Sequence, residues 1–266
     1  FQTDTDLTIT GAISGRGAGL FKIGGAGTLT LTGANSYVGS TNVWEGTLSV
    51  SEDRNHGDVS NGLNIDNSTL RTTGAFSTAR SVFLAGLNAT LQTDADLTVT
   101  GIVSGAPNAA LTKTGVGTLT LSGVNTYVGN IVKSGVLSVA QDRSLGRTSG
   151  RLTLDGGTLR TTGAFTTARD VSVGVGGGTL QTDADLTMSG IVSGGGALTK
   201  TGVGTLTLTG TNTYNGTLLN AGTLAVSADA NLGDAAGGLV FNGGTLRSTA
   251  GLSTDRPTTL HALGGT

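Results

Sequence analysis

The sequence predicts an all-β fold, a parallel β-helix, and three observations support that prediction. A segment of about 90 residues recurs three times, so the chain is a tandem array. Within each copy, short runs alternate apolar and hydroxyl residues with a period of two, as in Thr28-Leu29-Thr30-Leu31. Glycine supplies 47 of the 266 residues and separates these runs, where turns are expected. Together these features are typical of a solenoid whose short strands stack turn upon turn.

The long repeat is defined by phrases that return in register. The opening phrase, Gln-Thr-Asp-x-Asp-Leu-Thr with one apolar residue before it, occurs at residues 1–8, 91–98 and 180–187. We therefore predict one continuous solenoid of three repeats, at residues 1–90, 91–179 and 180–266. A looser period of about 20 residues inside each copy matches one solenoid coil. About four coils per repeat would give about 12 coils in all and an advance of roughly 19 Å per repeat. Three longer coils per repeat are the alternative.

The alternating runs predict strands with one apolar face. Leu29 and Leu31 point to one side of their strand, and the threonines between them point to the other. The same alternation occurs at Leu7 and Ile9, Leu48 and Val50, Leu63 and Ile65, Leu97 and Val99, and Leu206 and Leu208. A β-sandwich or barrel also uses short strands, but it places successive strands in different environments. Near-identical copies require the same environment each time, which favours the β-helix.

The composition excludes several classes of function. Lys and Arg total 15, Asp and Glu total 17, and the net charge is −2, so the clustered basic charge of nucleic-acid binding is missing. Cysteine is absent, which excludes disulfides, thiol catalysis and thiolate metal sites. No apolar run approaches the roughly 20 residues of a membrane-spanning helix. No segment resembles a signal peptide, so we expect any targeting segment to lie outside these residues.

One stretch of each copy resembles a known family. Residues 25–39 read Gly-Ala-Gly-Thr-Leu-Thr-Leu-Thr-Gly-Ala-Asn-Ser-Tyr-Val-Gly and continue through Trp-Glu-Gly-Thr-Leu-Ser-Val at 44–50. This run, with its copies at 115–139 and 202–226, resembles the passenger-associated transport repeat of bacterial autotransporters. The resemblance implies a right-handed β-helix, exported by a C-terminal barrel that we expect to lie outside these residues. It also implies display at the cell surface or release, and repeats that assist secretion and passenger folding.

Three pairs of aspartates are the first candidate polar sites. They are Asp4 and Asp6, Asp94 and Asp96, and Asp183 and Asp185. Two residues apart, the carboxylates of a pair lie on one strand face about 7 Å apart. Such a pair could contribute to a calcium site or act as the acid and base of a glycosidase. The simpler interpretation is a solvated or turn-forming aspartate, because the calcium-binding glycine repeat of other β-helices is missing.

Arginines and tyrosines also recur once per repeat. The arginines are Arg71 and Arg80, Arg160 and Arg169, and Arg247 and Arg256. They could bind acidic glycans, or they could pair with neighbouring acids and cover apolar surface with their stems. Tyr37, Tyr127 and Tyr214 could stack on sugars, but we expect each to pack in its loop with its hydroxyl at the rim.

Residues that occur in one copy alone give no constellation. His56 and His261 lie far apart in sequence and have no counterpart in the middle repeat. Trp44 belongs to the first copy only. No His-Ser-Asp or metal-binding arrangement is visible, so we predict no catalytic residue, no metal site and no cofactor.

These observations predict an extracellular structural protein rather than an enzyme. We expect a stalk, adhesin or fibre segment, secreted or at the bacterial cell surface. The residues at Phe1 and Thr266 lie in matching phase, so we expect more repeats of the same array or end-to-end stacking. The alternative is a passenger scaffold that aids secretion and displays another domain. A polysaccharide-active enzyme is a further alternative that rests on fold analogy alone. Host or cell-surface glycans are candidate ligands, and contact with the outer membrane is expected only through a translocator.

Overall fold

The computed structural model describes residues 1–17 and 19–266 and contains short parallel strands with three brief 3-10 helices. The chain divides into two compact units, Phe1–Asn130 with Arg143–Arg147, and Ile131–Asp142 with Thr148–Thr266. No helix in the described part of the chain is long and apolar enough to cross a membrane. Each unit is built in the same way, from three sheets of stacked parallel strands.

The first unit is a three-sided parallel β-solenoid. Its strands are β1 Leu7–Ile9, β2 Leu20–Lys22, β3 Thr28–Leu31, β4 Thr41–Val43, β5 Thr47–Val50, β6 Leu63–Ile65, β7 Thr69–Thr72, β8 Phe76–Thr78, β9 Val82–Leu84, β10 Ala89–Thr93, β11 Leu97–Val99, β12 Val103–Gly105, β13 Ala110–Thr114 and β14 Thr118–Leu121, with the 3-10 helix η1 at Asp53–His56. One sheet runs β1-β3-β5-β7-β10-β13, the second β2-β4-β6-β9-β12 and the third β8-β11-β14. Every pairing within these sheets is parallel, so each turn of the chain adds one strand to a sheet.

The second unit repeats this architecture. Its strands are β15 Gly129–Val132, which crosses the boundary, then β16 Val136–Val139, β17 Leu152–Leu154, β18 Thr158–Thr161, β19 Phe165–Thr167, β20 Val171–Val173, β21 Gly178–Thr182, β22 Leu186–Met188, β23 Val192–Ser193, β24 Leu198–Thr201, β25 Thr205–Leu208, β26 Thr217–Leu219, β27 Thr223–Val226, β28 Leu239–Phe241, β29 Thr245–Ser248 and β30 Thr258–Leu260, with η2 at Asp142–Leu145 and η3 at Asp229–Leu232. Its sheets run β16-β18-β21-β24-β26-β28-β30, β19-β22-β25-β27-β29 and β17-β20-β23.

The core of each unit consists of aliphatic residues stacked on their own kind. In the first unit Leu29 pairs with Leu48, and Leu48 pairs with Leu70, so the three side chains form a ladder. All three are buried, while the threonines between them lie at least partly in solvent. This is the alternation that the sequence predicts, and it extends to Leu206 and Leu208 in the second unit. Leu7 departs from it, because the side chain in β1 is 40% exposed.

The predicted all-β parallel solenoid is thus confirmed, with about 12 turns. A sandwich or an antiparallel barrel does not fit, because neighbouring strands within each unit are parallel and about 20 residues apart. The right-handed winding that the family resemblance implies stays a prediction.

The long repeat does not contain a whole number of turns. In the first unit, four steps along one sheet lead from β1 through β3, β5 and β7 to β10. The counterpart of β1 one repeat later is β11, the next strand along the chain, and it belongs to a different sheet. The repeat therefore spans four turns and one further side of the three-sided solenoid. In the second unit β16 and its counterpart β27 show the same advance.

The stacked leucines predict a large cost for any truncation in the core. Leu206 is buried between Leu186 and Leu224, so Leu206→Ala should lower the free energy of unfolding by about 2–5 kcal/mol. Thr207→Ala on the outer face of the same strand is the matched control, and it should change stability by less than about 1 kcal/mol. Chemical denaturation followed by circular dichroism measures both. Equal losses for the two variants would contradict the assignment of the inner face.

Candidate functional site

Polar loops replace one side of the solenoid in part of each repeat. In the first unit, residues 32–40 and 51–62 occupy the side that β8, β11 and β14 take in later turns. In the second unit, residues 209–216 and 227–238 occupy the side of β17, β20 and β23. We call each of these pairs a polar loop stack. Because these loops lack a regular strand ladder, their backbone groups need other hydrogen-bond partners.

Buried asparagines supply those partners in the first polar loop stack. Asn35 accepts a hydrogen bond from the backbone N–H of Ile13 (2.8 Å) and donates to the carbonyl of Asn55 (2.6 Å). Asn55 in turn accepts from the N–H groups of Ser51 and Glu52, and it donates to the carbonyl of Gly33 (3.0 Å). A side-chain amide carries both donors and an acceptor, so one residue can bridge consecutive turns.

The third repeat reproduces this network. Asn212 accepts from the N–H of Val192 (2.8 Å) and donates to the carbonyl of Asn231 (2.7 Å). Asn231 donates to the carbonyl of Gly210 (2.9 Å). In the second repeat a serine, Ser144, stands where these copies have Asn55 and Asn231, and its buried hydroxyl makes no hydrogen bond among the described residues. The asparagines therefore stabilise the loops.

The three tyrosines lie deeper than the sequence suggests. Tyr37, Tyr127 and Tyr214 are all buried, and their hydroxyls bond to Thr41 (2.6 Å), Asn130 (2.7 Å) and Thr217 (3.0 Å). Burial raises the pKa of Tyr214 to about 12. The expectation that each hydroxyl lies at the rim is therefore wrong, because a buried polar partner follows each tyrosine by three or four residues. None of these rings is available to stack on a sugar.

A buried arginine fastens each loop that contains a 3-10 helix. Arg80, whose side chain is 1% exposed, forms an ion pair with Asp53 (Nε–Oδ1 2.8 Å). Its guanidinium also donates to the carbonyls of Gly57 (2.9 Å) and Asn61 (3.2 Å). The planar fork of arginine suits several fixed acceptors at once, which an ammonium does not. Arg80 therefore holds the loop at 51–62 closed.

We call this arrangement, a buried arginine bound to an aspartate and to carbonyls of its loop, the arginine clamp. The other two repeats contain it as well. Arg256 pairs with Asp229 (2.8 Å) and donates to the carbonyl of Gly233 (2.8 Å), and the pKa of Asp229 lies below its usual value because Arg256 hydrogen-bonds to it. Arg169 pairs with Asp142 (2.7 Å). Of the two interpretations of these arginines, pairing with neighbouring acids is the one that the structure shows.

The aspartate pairs also serve the fold. In the second and third pairs the first member binds an arginine at the surface, in Arg71–Asp94 and Arg160–Asp183, both at 2.6 Å. The second member accepts the first N–H of a strand one turn away, as Asp96 does from Thr118 (2.7 Å). Within residues 1–17 and 19–266, no group of three or more acidic, His or Cys side chains is placed to hold a metal ion. The structure therefore assigns these carboxylates to strand capping and surface pairing.

Three buried lysines were not anticipated from the sequence. Lys22, Lys113 and Lys200 are fully buried, and each ammonium donates to carbonyls at the end of its strand or just after it. Lys200 bonds to the carbonyls of Thr201 (2.8 Å), Gly202 (2.9 Å) and Ala221 (3.1 Å). Burial lowers the pKa of Lys113 and Lys200 to about 8 in each case. The alternation could have predicted this burial, because each lysine lies two residues after a buried leucine and so on the same face of the strand.

A glycine one turn further along the chain lies against the buried lysine and begins the recurrent Gly-Thr-Leu phrase. Gly46 has a φ of 66°, a left-handed conformation that disfavours any side chain. A Cβ atom placed there would lie 2.7 Å from the carbonyl of Gly25 and 3.0 Å from the Nζ of Lys22. Glycine at this position therefore lets the chain pass close to the buried lysine.

The residues that occur only once do not come together. His56 is buried in the core, whereas His261 is exposed. Trp44 is 48% exposed and meets the edge of Phe21 at a ring-centroid distance of 5.2 Å. Neither His56 nor His261 hydrogen-bonds through its ring to a serine or an aspartate among the described residues.

The geometry thus defines a class of protein, a tandem-repeat β-solenoid whose recurrent polar residues hold its turns together. Comparison with known proteins agrees with this class. The passenger-associated-transport-repeat family matches three segments, at residues 24–50, 111–139 and 198–226. They contain the Gly-Thr-Leu strands, the loop tyrosines and, in the last two copies, the buried lysines. No solved structure matches the chain.

The chain is also similar to a bacterial adhesin. A Brucella suis protein, the adhesin BmaC autotransporter, is 39% identical over 149 residues. The match covers 55% of this chain and 4% of that much longer relative. The chain therefore contains three segments that match the passenger-associated transport repeat, and over about half of its length it is similar to an autotransporter, in agreement with the resemblance seen in its sequence.

The arginine clamp can be tested against an arginine of the same loop. Arg80→Met should lower the free energy of unfolding by about 3 kcal/mol, because the Asp53 carboxylate and several carbonyls lose a buried partner. Arg54→Met is the control, since Arg54 is 66% exposed and its solvent-screened pair with Glu52 should contribute little to stability. Chemical denaturation gives both values, and limited proteolysis reports opening of the 51–62 loop. A loss for Arg54→Met as large as for Arg80→Met would contradict the clamp.

Proposed function

We propose that this chain is an adhesive structural segment of an exported bacterial passenger, secreted or displayed at the cell surface. The main support is that many of its recurrent charged and amide side chains form hydrogen bonds and ion pairs with other residues of the solenoid. Arg80 and Arg256 bind carbonyls and carboxylates of their own loops, and Lys200 binds three carbonyls. Side chains used in this way serve the structure of the solenoid, as expected of a structural segment. Similarity to an autotransporter adhesin supports the same function.

The proposal does not include enzymatic activity. A catalytic site needs a nucleophile or acid–base pair held within hydrogen-bond reach of a substrate. The aspartate pairs are the best acids for that purpose, but Asp94 is bound by Arg71 and Asp96 by the Thr118 N–H. Turnover of any member of a panel of polysaccharides by the purified chain would contradict this part of the proposal.

Adhesion can be measured directly. The chain is displayed on a non-adherent bacterium through a heterologous translocator, and attachment to epithelial cells and to immobilised glycans is counted. We expect at least a several-fold gain over bacteria that display the translocator alone. Equal attachment, with surface display verified by antibody labelling, would rule out an adhesive function and favour a scaffold that presents another domain. The Arg54→Met variant serves as a folded control for surface charge.

We further propose that the partner along the solenoid axis is more of the same repeat, in this chain's own array or in a second copy stacked end to end. A solenoid turn buries its apolar face only against another turn, and like residues stack best on like. The ladder of Leu186, Leu206 and Leu224 shows such stacking within one unit. Light scattering and electron microscopy should show rods longer than one chain at high concentration. A monodisperse monomer under all conditions would exclude stacking of copies.

A further inference from the structure

One position in the core differs between the repeats in a chemically consequential way. The last residue of η1 is His56, whereas the corresponding residues are Leu145 and Leu232. All three side chains are buried, and His56 is 0% exposed. An ionisable ring thus occupies a position that the other copies fill with a leucine.

The imidazole has no polar partner in its pocket. Neither Nδ1 nor Nε2 makes a hydrogen bond to any described residue. The ring lies 6.5 Å from that of Phe76, and a small enclosed cavity beside it is lined mainly by aliphatic side chains, including Leu63, Leu70 and Leu97. A neutral imidazole left unsatisfied already costs free energy, and a protonated one would add a second donor and a charge.

The charged groups around the ring disfavour protonation further. The positive charge of Arg80 disfavours protonation of the ring, and Asp53, whose charge favours it, is itself bound by Arg80. Burial, the largest cause, and Arg80 together lower the pKa of His56 from 6.5 to about 4. The folded state therefore binds fewer protons than the unfolded state between these values. Stability contributed by the neutral ring is present above about pH 6.5 and is lost as the pH falls toward 4.

His56 belongs to the loop that Arg80 holds. Its carbonyl accepts from Thr41 and Asn61 (3.4 Å each), and the next carbonyl, of Gly57, accepts from Arg80. Moving the ring into water thus requires these contacts to break together. Within this loop the 3-10 helix ends at Gly57, whose φ of 75° turns the backbone away from the helix.

We propose that His56 makes residues 53–62 an acid-sensitive latch, which opens into solvent when the surrounding pH falls and closes again at neutral pH. The latch is specific to the first repeat, because Leu232 keeps the corresponding loop of the third repeat closed. Opening exposes the apolar side chains that the loop covers, so acid creates a new hydrophobic surface on one repeat only. This device would let a surface-exposed passenger respond to an acidic environment.

Hydrogen–deuterium exchange of the whole chain tests the latch. Protection of residues 53–62 is compared with that of residues 229–238 at pH 7.5 and pH 4.5, after correction for intrinsic exchange. The shift of the His56 pKa from 6.5 to about 4 predicts an increase in loop opening on the order of 50- to 100-fold at pH 4.5 for the first loop. The third loop is an internal control, because it contains the same clamp, Asp229 with Arg256, next to Leu232.

Two variants separate the histidine from the carboxylates. His56→Leu, which installs the residue of the other repeats, should make the first loop as protected at pH 4.5 as at pH 7.5. Leu232→His should transfer the acid response to the third loop. Opening of the first loop at pH 4.5 in His56→Leu, or equal opening of both loops in the unmodified chain, would overturn the proposal. If Leu232→His fails to fold, the His56→Leu comparison decides alone.

Discussion

The fold depends on one constraint, the in-register stacking of parallel strands whose inner residues repeat from turn to turn. A single turn of about 20 residues cannot bury its own apolar face, so it is stable only between neighbours that present a matching face. Leu29, Leu48 and Leu70 meet that requirement in the first unit. The strict alternation of leucine and threonine follows, because a shift of one residue would turn the ladder outward.

The same constraint explains the buried polar residues. Where a side of the solenoid lacks a strand, the backbone loses its ladder partners, and amides and guanidinium groups replace them, while the lysine ammonium groups bind carbonyls where strands end. Asn35, Arg80 and Lys200 bind carbonyls of nearby residues and turns in this way, at 2.6 Å for Asn35 and 2.8–3.1 Å for Lys200. The charged groups of Arg80 and Lys200 therefore have their hydrogen-bond partners inside the molecule. Among the described residues, the recurrent aspartates likewise form no group of three or more acidic, His or Cys side chains placed to hold a metal ion.

Much of the fold could be predicted from the sequence, because the two-residue period fixes the inner face and the long repeat implies stacking. The contacts of the polar residues were harder to predict. Arg80 and Asp53 lie 27 residues apart, and their pairing follows only from the number of residues in a turn. Tyr37 was placed at the rim because a hydroxyl usually seeks water, but Thr41 supplies a buried partner. Lys22 could have been found, since it shares the inner face with Leu20, yet a buried ammonium runs against ordinary expectation.

The fractional advance of the repeat has a geometric consequence for contact with other objects. Within each unit, a feature and its copy one repeat later lie on neighbouring sides of the three-sided solenoid, as β1 and β11 do in the first unit and β16 and β27 do in the second. A flat partner laid against one side of a unit would therefore meet one copy of such a feature and not the next. Repetition within a unit thus spreads a feature over different sides instead of lining it up along one side.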